Sequence, residues 1–210
     1  MKKMNSFSVP LGLLDYINPI FYGITTYIIM KYMHTTMDVF WFFLFAIGAF
    51  LSLVFGLIIP TGKLLVGLGK IKFVMPVSLV FFVNLGLLLS GVSLFYCVYY
   101  PSFVILVLLL LGILLSLSFL YFKTKKFNTI AVLLGAVGYF FIYLSLITLS
   151  IRNGSFISVL FYLCAIGLFL FLCRIGIKAN LKNPRVHWVI ELSNVTCQFL
   201  VMIATIILFH

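Results

Sequence analysis

Apolar runs of about 20 residues recur along this chain, separated by short basic or polar segments, and that recurrence restricts the fold more than any other feature. A run of this length, coiled as a helix, crosses a hydrocarbon layer about 30 Å thick. Lipid offers the backbone no hydrogen-bond partner, so each run must satisfy its own N–H and C=O groups as a helix. Seven spans are predicted, at about 11–32, 38–59, 73–99, 102–122, 128–150, 155–174 and 187–209. The expected fold is an all-α, polytopic integral membrane protein, a seven-transmembrane-helix bundle in which 1–210 is a single transmembrane helical domain. Hydrophobic residues make up 65% of the chain and charged residues 8%, which leaves too little polar surface for a soluble domain.

The basic residues alternate in a way that sets orientation. Lys2 and Lys3 precede the first predicted span. Lys63, Lys70 and Lys72 follow the second, Lys123, Lys125 and Lys126 the fourth, and Arg174, Lys178, Lys182 and Arg185 the sixth. Of the 14 basic residues, Lys31 and Arg152 alone fall on the other side. The positive-inside rule then puts the N-terminus in the cytoplasm and His210 outside, in what is read as a bacterial cytoplasmic membrane. The net charge of +11 is accounted for by this topology and by anionic lipids at the cytoplasmic basic loops, so no nucleic-acid partner is expected. "TGKLLVGLGKIKF" reads as a basic stretch on the inner surface, with Leu64, Leu65, Leu68 and Ile71 toward lipid. Asp15, Asn18 and Pro19 interrupt the first apolar run, which reads as a retained span rather than a removed signal peptide.

Small residues repeat at helical spacing: Gly48 with Ser52 and Gly56, Gly86 with Ser90, Gly112 with Ser116, and Ala131 with Gly135. Such faces let helix backbones approach closely, which substitutes for the hydrophobic drive that lipid removes. Packing within the chain is the expected use, with a homodimer seam as the other. Cys97, Cys164, Cys173 and Cys197 form no C-x-x-C pair, so neither a disulfide framework nor a zinc site is indicated. No P-loop, nucleophile elbow or H-E-x-x-H occurs, and no metal or cofactor is expected.

The chemistry is concentrated in two polar stripes. In "HWVIELSN" and beyond, His187, Glu191, Asn194, Gln198 and Thr205 share one helical face. Asp15, Asn18, Tyr22 and Thr25 do the same in the first span, and Asn84 is the strongly polar residue in the middle of the third. Asp15 and Glu191 lie at matched depth, each with an asparagine three residues on, and are expected to converge on one cytoplasm-facing site. Buried amides without partners are costly, so the stripes should face the bundle. The rival reading places all three acids, including Asp38, at predicted helix N-termini favoured by the macrodipole, with the stripes as an interhelical hydrogen-bond network; for Asp38 the dipole reading is preferred outright.

Intramembrane ionisable groups point first to a ligand or ion site. The leading expectation is therefore a small transporter or channel-like permease binding a small solute or cation, linked to a cation or proton. Asp15, Asn18, Tyr22, Asn84, His187, Glu191, Asn194 and Gln198 are its candidate binding residues. An intramembrane enzyme acting on a lipid or prenyl substrate is the alternative, using Asp15, Glu191 and His187 as acid/base or metal-binding groups. The third reading is a non-catalytic membrane subunit or membrane-perturbing effector.

Overall fold

The computed structural model describes residues 8–69, 77–102, 105, 109, 111–113, 116, 127–178 and 184–210. All regular structure among them is helical: α1 Val9–Asp15, α2 Ile17–Met33, α3 Val39–Gly67, α4 Val77–Tyr99, α5 Phe127–Arg152, α6 Phe156–Lys178 and α7 Pro184–Phe209. Among the described residues four helices are long and apolar enough to cross a membrane, at Val39–Gly67, Ser78–Tyr99, Ile130–Arg152 and Arg185–Phe209. A shorter apolar helix covers Phe156–Leu172, in the predicted sixth span. Most of the predicted fourth span, 102–122, and the basic residues Lys70, Lys72, Lys123, Lys125, Lys126 and Lys182 lie outside the described residues.

The predicted first span is not one continuous helix. It breaks at Tyr16, between α1 and α2. Pro19 has no N–H to offer the carbonyl four residues back, which is that of Asp15, and its ring clashes with an unbroken helix there. The chain compensates locally, with the Tyr16 N–H on the Leu13 carbonyl at 3.2 Å and the Ile20 N–H on the Tyr16 carbonyl at 3.4 Å.

The second predicted span needs the opposite correction. The span is predicted to end at about 59, yet α3 continues through Pro60 to Gly67. Pro60 is fully buried, and the Thr61 hydroxyl donates to the Leu57 carbonyl of its own helix at 2.7 Å. Residues 61–67, the start of the stretch read as basic and amphipathic, therefore continue α3 as helix.

The chain folds as two compact units. One comprises residues 1–29, 56–75 and 150–210, the other 30–55 and 76–149. In the second unit α4 packs between α3 and α5. A side-chain carbon added at Gly48 would lie 2.6 Å from the Gly86 carbonyl oxygen, so these helices touch backbone to backbone. Ser52 donates to the Val83 carbonyl across that contact at 2.8 Å. On the α5 side Gly91 and Leu87 meet Gly138, and Asn84 fills the space above Gly135. Leu88, Val92, Leu134 and Phe141 form the apolar core beside these contacts.

In the first unit α7 packs along α6 and also against α1. The Tyr162 and Thr205 hydroxyls hydrogen-bond at 2.9 Å between α6 and α7, and both residues are fully buried. Phe21 of α2 meets Phe199 of α7 with ring centroids 5.6 Å apart. Gly12 of α1 sits against the backbone of Leu64, where an added carbon would lie 3.1 Å from the Leu64 Cα.

The small-residue stripes thus divide by what they face. Gly48, Ser52, Gly86 and Ser90 form the α3–α4 crossing, whereas Gly56 turns to Pro19 in the first unit. At Gly112 an added carbon would meet nothing within 4 Å among the described residues, and the Ser116 hydroxyl donates to its carbonyl.

Candidate functional site

Asp15 ends α1, Lys63 lies three residues beyond Pro60 in α3, and Glu191 occupies the second turn of α7. The Lys63 ammonium donates to Asp15 Oδ2 and to Glu191 Oε1, each at 2.7 Å. The two carboxylate oxygens therefore lie at most twice that distance apart. Bonds this short are those of charged partners. The Lys63, Asp15 and Glu191 side chains are 14%, 10% and 8% exposed, so the cluster is largely removed from water.

Each position follows from its own helix. Glu191 is on the face of α7 that carries buried Cys197, Gln198, Val201 and Thr205, while Trp188, Val189, Leu192 and Phe199 point outward. Lys63 can reach inward because α3 passes Pro60 without stopping, which puts it on the same segment as Leu64, the residue in contact with Gly12. Beside these, the Tyr16 hydroxyl bonds to the Thr61 hydroxyl at 2.6 Å. Since Thr61 already donates its proton to Leu57, Tyr16 is the donor.

The helix dipoles act differently on the two acids. Asp15 is the last residue of α1 and stands two residues before the start of α2, whose positive end favours it, whereas Glu191 lies beyond the first turn of α7. Their compensating charge is Lys63. Asp38 does immediately precede α3, and its carbonyl accepts the Phe42 N–H at 2.9 Å.

Among the other residues singled out by sequence, Asn18 joins the cluster. Its amide donates to Asp15 Oδ1 at 3.2 Å, and its own Oδ1 is buried with no hydrogen-bond donor among the described residues. Tyr22 follows one turn later on α2, with its hydroxyl oxygen buried. His187 and Asn194 flank Glu191 on α7 and are half-buried, and Gln198 is buried one turn further on. Asn84 belongs to the second unit, where its amide donates to the Val80 carbonyl of its own helix at 2.8 Å. Among the described residues no group of three His, Cys, Asp or Glu side chains could hold a metal ion.

Lys63 is the member that sequence reading missed, having been assigned to a basic loop. The available signal was charge balance: two carboxylates too deep for water call for a cation within reach. With all three groups ionised the cluster carries a formal charge of −1. Set against protein-family models, curated proteins and solved structures, the chain matches none.

Proposed function

We propose that this protein is a small multi-pass membrane transporter whose coupling site is the Asp15, Lys63 and Glu191 cluster. In this reading seven spans cross a bacterial cytoplasmic membrane, with the N-terminus in the cytoplasm, and Asn18 and the α7 stripe line the path to the site. One observation carries the proposal: three ionisable side chains from three helices, two acids and one base, meet away from water. A structural clamp is complete with one acid and one base. A second buried acid leaves one negative charge uncompensated, at a cost of several kcal/mol for an ion without a partner. A proton or a monovalent cation removes that charge, and a site that gains and loses one is the working part of an ion-coupled carrier.

The break in the first span supports the same reading. Discontinuous helices in carriers expose carbonyl groups at the depth where ions bind, and Pro19 deprives the Asp15 carbonyl of its helical donor.

The test uses proteoliposomes loaded with a pH-sensitive dye and given inward gradients of Li⁺, Na⁺ or K⁺ in turn. Wild-type protein should move protons against at least one of these cations, and Glu191→Gln and Asp15→Asn should each lower that flux at least tenfold. Wild-type vesicles no faster than protein-free ones with all three cations, or full flux in both amide variants, would leave the cluster a structural clamp.

A further inference from the structure

Two proline breaks lie side by side in the first unit. Pro19 withholds a donor from the Asp15 carbonyl, and Pro60 withholds one from the Gly56 carbonyl. Gly56 and Pro19 are themselves in contact, since an added carbon on Gly56 would lie 3.8 Å from Pro19 Cβ. Both helices are thus weakened at the same level.

On the far side of these breaks, α1 and residues 61–67 of α3 are joined in three different ways. Gly12 packs on the Leu64 backbone, Tyr16 hydrogen-bonds Thr61, and Lys63 pairs with Asp15. Van der Waals contact, a neutral hydrogen bond and an ion pair therefore hold the same two segments together. Toward α7 the gate segments make two contacts: α1 packs against it, and Glu191 takes the second bond of the same ammonium.

We infer that α1 and the last two turns of α3 form one gate, hinged at Pro19 and Pro60, held shut by Lys63 on Glu191, and that opening it withdraws the lysine from α7. Lys63 is then a tethered counter-ion that occupies the carboxylate of α7 in the closed state and exposes it in the open one. Its purpose rests on the transport reading above, whereas its mechanics do not.

Distances between spin labels test the mechanics without any flux. The full chain, with its cysteines replaced, is labelled in lipid nanodiscs at two pairs of exposed sites. One pair reports on the gate itself, Leu13 in α1 and Leu68 immediately after α3, and the other runs from gate to α7, Leu68 and Leu192. Glu191→Ala removes the closing bond. The gate-to-α7 pair should then gain a population longer by at least ~5 Å, about the rise of one helical turn, while the within-gate pair keeps one narrow distance. Adding Pro60→Leu should suppress the longer population. Glu191→Gln, which keeps the shape and loses the charge, gives the same readout should the alanine variant fold poorly. A broadened within-gate pair, or a gate-to-α7 distance unmoved by both Glu191 variants, would overturn the gate. Absent ion flux with the distances as expected would remove the transporter and leave the gate standing, and the reverse outcome would remove the gate alone.

Discussion

Lys63 is worth more to this protein than an ordinary ion-pair partner, because two buried carboxylates depend on it. Removing one partner of a buried pair typically costs about 3–5 kcal/mol, since the remaining charge is left without compensation. Lys63→Met should therefore lower stability by on the order of 3–5 kcal/mol, read as an earlier denaturation midpoint in detergent. Combining it with Asp15→Asn and Glu191→Gln should recover most of that loss, because no uncompensated charge remains. Equal melting of the single and triple variants would show that the ammonium is not the compensating group. Sequence made the two acids visible, since a carboxylate within an apolar run must find a partner. Their lysine was hidden by "PTGK", where local preference says turn and the surrounding helices, by burying Pro60, say otherwise.

At the scale of elements, the α3–α4 crossing depends on Gly48 and Gly86 being bare. Each lies against the other's carbonyl, so a side chain at either must push a backbone rather than a flexible tip. Gly48→Leu and Gly86→Leu should each cost at least about 1–3 kcal/mol, the usual range for overpacking, again read from thermal denaturation in detergent. Gly56→Ala should be nearly neutral, because its added carbon meets Pro19 at ordinary contact distance. A small effect at Gly48 together with a large one at Gly56 would contradict the crossing described. The four-residue repeat was legible as a small-residue face. Which partner each glycine meets was not, because that depends on tertiary neighbours rather than on spacing along one helix. The same limit applies to the first span. Pro19 signals a bend in the sequence, but only the contacts of Gly12 and Tyr16 place the short helix before it against α3.

Across the whole molecule, the basic residues govern how the chain enters a membrane. Under the proposed topology a cysteine replacing Thr124 in "KTKKFN" should react in whole cells with membrane-permeant maleimides alone. Labelling by an impermeant reagent would reverse the orientation. Lys63 is set apart from its neighbours in that tally, because its charge is spent on the cluster. Its two partners also arrive at different times during synthesis. Asp15 precedes it by 48 residues, and Glu191 follows by 128. At about 5–20 residues per second, the ribosome reaches Glu191 roughly 6–26 s after Lys63. For that interval Lys63 has Asp15 as its acidic partner, and Glu191 joins the pair when its helix docks. The three-membered cluster therefore marks completion of the fold: a chain cut short before α7 holds one acid and one base at this spot, and only a finished chain adds the second acid.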